Sequence, residues 1–123
     1  MLNVSSRRIL VTGAAAGIGL ATSRRLMCAG AVVLMCDKDA DGLRAAVSEL
    51  SGSAGNPQAI VADIADAAAI DRAASEAGVI DGLVNCAGIY PVTPVLELRA
   101  DEWDRVLTLN LRTPFLQIGR AHV

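Results

Sequence analysis

The sequence predicts one α/β domain: a doubly wound parallel sheet in strand order 3-2-1-4, incomplete at one edge. Three observations predict it. Short apolar runs alternate with helical patterns along the 123 residues, and that βα alternation requires right-handed crossovers between parallel strands. The second run, Ala31 to Cys36, is apolar throughout, as a strand covered on both faces demands. The run Thr12-Gly13-Ala14-Ala15-Ala16-Gly17-Ile18-Gly19 lies between the first strand and the first helix. A glycine-rich turn leading into a helix N-terminus is where unpaired backbone N–H groups and the helix dipole gather to hold a phosphate.

The elements follow in order. Arg8 to Val11 reads as the first buried strand. Gly17 to Ala29 reads as a helix, with Ile18, Ala21 and Leu26 available to face the sheet, and Gly30 breaks it. Ala31 to Cys36 is the second strand and ends at Asp37. Asp41 to Leu50 is the second helix, with Leu43, Ala46, Val47 and Leu50 on one stripe. After a loop from Ser51 to Pro57, Gln58 to Ala62 forms the third strand and ends at Asp63. Ala67 to Ala77 is an alanine-rich helix that Asp66 can cap. Leu83 to Asn85 is the fourth strand and leads into Cys86-Ala87-Gly88. Tyr90 to Pro94 is a loop with two prolines. A further helix runs from about Asp101 to Leu116 and brings Trp103, Val106, Leu107, Asn110 and Leu111 near one another. Pro114 lacks a helical donor, which predicts a kink or an end nearby. The crevice belongs at the carboxyl ends of the first and fourth strands. The fourth strand has no outer neighbour and is an apolar edge.

Composition narrows the function. A 53% hydrophobic chain supports a real core, and a net charge of −2 gives no sign of a nucleic-acid surface. No apolar run is long enough for a membrane span, and Met1 to Arg8 lacks a secretory core. Cys28, Cys36 and Cys86 are scattered and not in metal-ligand spacing, so they are expected to be reduced and buried in a cytoplasmic protein, with no metal site.

Gly13, Gly17 and Gly19 alone are a weak signal, since glycine also serves plain turns. Asp37 strengthens it. It follows Gly19 at close to the offset of a ribose-binding carboxylate, at the end of the second strand. A carboxylate there accepts from the ribose hydroxyls and repels a 2′-phosphate. Ala16 offers no charge to offset that repulsion, and Lys38 offsets it in part. NAD is therefore favoured over NADP.

On these residues the sequence resembles the short-chain dehydrogenase/reductase family, which implies a Rossmann-type fold. Thr12 to Gly19 matches the family's TGxxxGIG loop at each fixed position, which gives Gly13, Ala15, Ala16, Gly17, Ile18 and Gly19 to the cofactor. Asn85-Cys86-Ala87-Gly88 resembles its NNAG segment, with Cys86 as a departure, and implies a nicotinamide-side role for Asn85, Ala87 and Gly88. Asp63 and Ile64 stand where the family contacts adenine. Asn110 stands where the family has a helical Asn of its catalytic set that helps hold a proton-relay water. The matches run in order from about residue 8 to 116.

Plainer readings stay open at each position. Asp37 can cap the next turn, Asp63 the next helix, and Asn85 can tie strands together. Asn110 can be an ordinary helix residue. Tyr90 and Trp103 are expected to pack rather than touch substrate, and His122 has no evident carboxylate partner for catalysis.

The resemblance implies hydride transfer between nicotinamide and an alcohol or carbonyl compound. A Tyr moves the proton, a Lys four residues later lowers the Tyr pKa, and a Ser orients the substrate. In this sequence the one lysine is Lys38 and the one tyrosine is Tyr90, with Pro94 four positions on. The chain is therefore expected to be the cofactor-binding half of such an enzyme and to be inactive by itself. The alternative is a non-catalytic dinucleotide-binding module. Residues 1–116 form the expected partial domain, and residues 117–123 are expected to be a non-native tail that resembles a translated sequencing adapter. The last helix and its successor would form the family's dimer surface, so the intact parent is expected to be a homo-oligomer and assembly of this chain is not.

Overall fold

The computed structural model describes residues 3–52 and 55–121. Four parallel strands, β1 (Arg8–Thr12), β2 (Val32–Asp37), β3 (Gln58–Val61) and β4 (Gly82–Asn85), lie in the order β3-β2-β1-β4. The helices are α1 (Gly17–Cys28), α2 (Ala40–Leu50), α3 (Ala67–Ala77), α4 (Ala100–Leu107) and α5 (Thr113–Ala121), the last two joined by a π-helical turn at Thr108–Arg112. The expected fold class and strand order are observed, and strand and helix ends shift by a residue or so.

Strand alternation builds two cores from one sheet. Ile9, Val11, Val33 and Met35 face one side and pack with Met27 of α1 and Leu43, Ala46 and Leu50 of α2. Leu10, Leu34, Cys36 and Ile60 face the other and pack with Ile70, Ala73 and Ala77 of α3 and with Leu109. β1 and β2 are therefore buried on both faces, as their unbroken apolar sequence requires. β4 has only β1 beside it, and its residues are half-buried or exposed.

Local chemistry sets the helix starts. The Asp39 carboxylate accepts from the Gly42 N–H at 3.0 Å and caps α2. Asp66 accepts from the Ala68 N–H at 3.1 Å and caps α3, as expected from the sequence. At the far end of α3 the Arg8 guanidinium donates to the carbonyls of Ala77 and Val79.

Three expectations are corrected, and the one at Pro114 is sharpened. The buried side of α1 is Gly19, Ser23 and Met27, one turn apart; half-buried Leu26 packs on the same core as expected, while Ile18 is 78% exposed and Ala21 exposed. The reason is close approach: a Cβ on Gly19 would overlap the Gly13 carbonyl, so α1 turns its smallest residue inward. The helix expected across Asp101 to Leu116 is disturbed next to Pro114, as expected, and runs on past it. Pro114 has no N–H for the Asn110 carbonyl, and the ladder widens into the π-turn, with the Thr113 N–H on the Thr108 carbonyl, before α5 continues. Tyr90 and Trp103 do not pack: Tyr90 is 89% exposed on its loop, and Trp103 lies on α4, none of whose residues is buried. Of the cysteines only Cys36 is buried; Cys86 is half-buried and Cys28 exposed.

Candidate functional site

A cleft of about 220 Å³ opens at the carboxyl ends of the strands. Gly13 follows β1, Cys36 and Asp37 end β2, Lys38 follows them, and Ala62, Asp63 and Ile64 follow β3. Cys86, Ala87, Gly88 and Ile89 follow β4, and Leu109 closes the wall from the π-turn. The crevice thus spans four strand ends, wider than the first and fourth alone. It is smaller than the roughly 300–1,000 Å³ of a pocket that encloses a whole ligand, so an extended ligand would lie partly outside it.

The loop after β1 is fixed by its neighbours. Gly13 has φ +65°, and a Cβ there would meet the Ala87 backbone at 2.9 Å. Glycine is needed for both reasons, and it lets the loops after β1 and β4 touch. The Thr12 hydroxyl, buried between β1 and β4, accepts from the Ala87 N–H at 3.3 Å. On the other side the Ala14 N–H donates to the Cys36 carbonyl at 3.1 Å, and the Ala15 N–H to Asp37 Oδ2 at 3.0 Å.

The helix that follows starts without a cap. Ala16 provides no side-chain acceptor, and no acidic residue lies in the first turn of α1. The ladder begins with Leu20 N–H on the Ala16 carbonyl, so the N–H groups of Gly17, Ile18 and Gly19 precede it. Exposed Ala16, Gly17 and Ile18 line the approach, and buried Gly19 sets the helix against the loop. Free donors at the positive end of a helix dipole suit an anion.

Asp37 closes the cleft opposite. Its Oδ1 accepts from the Asp39 N–H and its Oδ2 from the Ala15 N–H, each at 3.0 Å. A carboxylate has about four acceptor sites, so two remain for hydroxyl donors. Lys38 is exposed at the rim. Asp63 folds its Oδ1 onto the Ala65 N–H at 3.0 Å, while buried Ile64 presents the apolar floor. Thr113, buried on α5, donates to the Ile64 carbonyl at 2.9 Å and holds that floor in place. The Cys36 thiol is pushed up to about 12 by burial, then by Asp37 and Glu76, so it stays protonated and inert at neutral pH.

Asn110 reaches the site from α4's continuation. Its Oδ1 accepts from the Ile89 N–H at 2.9 Å and its Nδ2 donates to the Ile89 carbonyl at 2.7 Å. The side chain thus clamps the peptide just past Gly88. Its own carbonyl lacks an i+4 donor because Pro114 has no N–H.

Among the sequence-predicted residues, Gly13, Asp37, Lys38, Asp63, Ile64, Ala87 and Gly88 line the cleft. Ala15, Ala16, Gly17, Ile18 and Gly19 form the adjoining helix entrance, and exposed Asn85 ends β4 outside the lining. The sequence reading missed Thr12, Ala62, Ile89, Leu109 and Thr113. Thr12 and Ala62 sit at strand ends next to named residues and could have been inferred; Leu109 and Thr113 arrive from a distant helix and could not. His122 lies outside the described residues. Residues 117–121 continue α5, with Gln117 buried and Arg120 paired to Asp71. Among the described residues no helix is long and apolar enough to cross a membrane.

A model of the family described as short chain dehydrogenase matches residues 7–121. The chain is 40% identical over 111 residues to D-threitol dehydrogenase of Mycolicibacterium smegmatis, covering 87% of this chain and 43% of that protein. It is also 40% identical over 120 residues to a short chain dehydrogenase/reductase of Macrophomina phaseolina, covering 93% of this chain and 69% of that one. Among solved structures, a dehydrogenase/reductase from Sinorhizobium meliloti superposes with TM-score 0.92 at 37% identity, over 98% of this chain and 50% of that one. A blue fluorescent protein from a metagenomic library, in complex with NADPH, superposes with TM-score 0.89 at 35% identity, over 98% and 52%. The chain therefore spans about half the length of most of these relatives.

Proposed function

The chain belongs to the short-chain dehydrogenase family, and from that membership we propose that it is the cofactor-binding half of an NAD(P)-dependent oxidoreductase acting on an alcohol or carbonyl compound. One observation carries the reading: an uncapped helix N-terminus adjoins a cleft lined by a carboxylate with spare acceptor sites. That pairing fits a dinucleotide, with the pyrophosphate over Gly17 to Gly19, the adenosine ribose on Asp37 and the adenine against Asp63 and Ile64. Asn85, Ala87 and Gly88 take the nicotinamide side, and Ala15 and Ala16 shape the loop. When bound, the cofactor supplies the hydride donor or acceptor. The chain's residues orient it, and Asn110 holds the Ile89 peptide while its carbonyl offers an acceptor for a relay water.

NAD is the preferred form, because the Asp37 carboxylate would repel a 2′-phosphate on the ribose and only Lys38 opposes it in the cleft lining. The 123 residues hold no Tyr-x-x-x-Lys, so they bind without turnover, and a dinucleotide-binding module without catalysis is the second reading. We further propose that the intact parent is a cytoplasmic homo-oligomer. Support for assembly comes from Trp103, Leu107, Leu111 and Phe115, which recur every fourth position and are all exposed.

Calorimetric titration with NAD and NADP tests the reading. NAD should bind more tightly. Tighter NADP would overturn the preference, and no heat with either would overturn the nucleotide site. Nicotinamide reduction by an alcohol series should be absent, and turnover would overturn the claim of inactivity.

A further inference from the structure

Asp37 does something before any ligand arrives. Two consecutive residues at the end of β2 take two consecutive N–H groups of the loop after β1: the Cys36 carbonyl takes Ala14, and Asp37 Oδ2 takes Ala15. The second of these bridges 22 positions of sequence. Asp37 Oδ1 is in turn held by the Asp39 N–H, and the Asp37 carbonyl accepts from the Ala62 N–H just past β3. The carboxylate is therefore fixed in orientation by groups on two elements. Ala15 lies two residues before Gly17, where α1 starts. No other side-chain acceptor is recorded on the loop from Gly13 to Gly19 within the described residues, so Asp37 alone ties its middle by a side chain.

We propose that Asp37 is a positioning residue for the phosphate-binding loop: through Ala15 its carboxylate sets where the α1 N-terminus points, coupling the ribose end of the cleft to the pyrophosphate end. The inference rests on the dinucleotide reading above and deepens it. A charged acceptor makes this a stronger bond than a neutral one, and burying part of it in the cleft wall shields it from water. Losing it frees the loop to sample other backbone states, and the three donors at the helix start lose their alignment. The consequence for specificity is concrete. Exchanging Asp37 to admit a 2′-phosphate would also loosen the grip on the shared pyrophosphate, so NADP would not simply replace NAD.

Adenosine and ADP separate the two roles, because both carry the ribose and only ADP carries the phosphates. Their affinities are measured by calorimetry on the full chain, for the unaltered protein, Asp37→Ala and Asp37→Asn. If Asp37 only binds ribose, both ligands weaken by the same factor. With loop positioning, ADP weakens by about tenfold more than adenosine in Asp37→Ala, the scale of one charge-assisted bond. Removing the negative charge alone would favour ADP, so a larger ADP loss runs against electrostatics. Asp37→Asn removes the same charge but keeps one acceptor, and should restore part of the ADP loss. Equal losses overturn the coupling and leave the nucleotide site standing. If neither ligand binds the unaltered protein, the site itself falls. A ligand-free readout then decides the inference: the Ala15 amide should exchange with solvent at least about tenfold faster in Asp37→Ala. Unchanged exchange at Ala15 overturns it.

Discussion

β2 and β4 are both short apolar strands of one sheet, yet the structure treats them differently. Val33 to Cys36 are all nearly inaccessible, whereas Gly82 to Val84 are half-buried and Asn85 is exposed. Their sequences do not explain this; their neighbours do. β2 lies between β1 and β3 with helices on both faces, while β4 has β1 alone, then a loop whose Tyr90, Val92, Val95 and Leu96 stand in solvent. Apolar sequence specifies that a segment will be a strand. The number of layers around it decides how much each residue contributes. The loop from Gly13 to Gly19 hangs on the tightly packed side, between β1 and β2, and the Cys86 to Ile89 wall on the loose side.

The sharpest way to break this contrast is one substitution made in both regions. Gly19→Ala would drive a methyl into the Gly13 carbonyl, a backbone atom with nowhere to move. It should cost about 4 kcal/mol or more, in the range that marks a named steric conflict, and remove nucleotide binding. Gly82→Ala would place its methyl 3.5 Å from the Ile9 side chain, an ordinary contact, and should change stability by less than about 0.5 kcal/mol. Urea unfolding of both variants measures the difference. Similar losses would mean that the loop is as yielding as the edge.

A smaller effect sharpens the same comparison through packing. Leu34 is fully buried at the centre of β2, and Leu34→Ala should cost about 3 kcal/mol by leaving a cavity. Leu83→Ala on β4 removes the same atoms from a half-buried place that can relax, and should cost about 1 kcal/mol. If Leu83 proved the costlier, the β4 side would be packed better than its exposure implies.

What was legible in the sequence follows the same line. The strands, the cap Asp66, and the carboxyl-end placement of Gly13, Asp37, Asp63 and Ala87 depend on local pattern and strand order, which short windows carry. The burial of α1 was not legible, because it turns on Gly19 seating over Gly13, a contact of two backbones with no hydrophobic signal. The same holds for the exposure of Trp103, since amphipathic spacing marks an apolar face without saying what covers it. The links from Asp37 to Ala15 and from Asn110 to Ile89 join residues 22 and 21 apart. Each residue had a nominated role, but the bond that fixes it exists only once the strands are side by side.

The smallest effect concerns a polar tie at the end of the sheet away from the cleft. Asp81, just before β4, accepts from the Arg8 N–H at 2.8 Å and from the Arg7 guanidinium at 3.0 Å, so β4 is fastened to β1 by charge as well as by ladder bonds. The Arg8 backbone bond first, and the Arg7 side chain second, hold the Asp81 carboxyl below its ordinary value. A lowered folded-state value means that the unfolded chain takes up the proton first as pH falls. The tie therefore stabilises fully above the ordinary carboxylate range and is lost as pH drops through the folded value. Asp81→Asn should lower the melting temperature by a degree or so at pH 7 and by less at pH 3, because the site is solvated and screened. Thermal melts of both proteins across that range test it. A gap that stays constant with pH would assign the tie to hydrogen bonding alone. A gap that grows in acid would mean that Asp81 opposes the docking of β4, and the loose side of the molecule would then be held by its apolar contacts and ladder only.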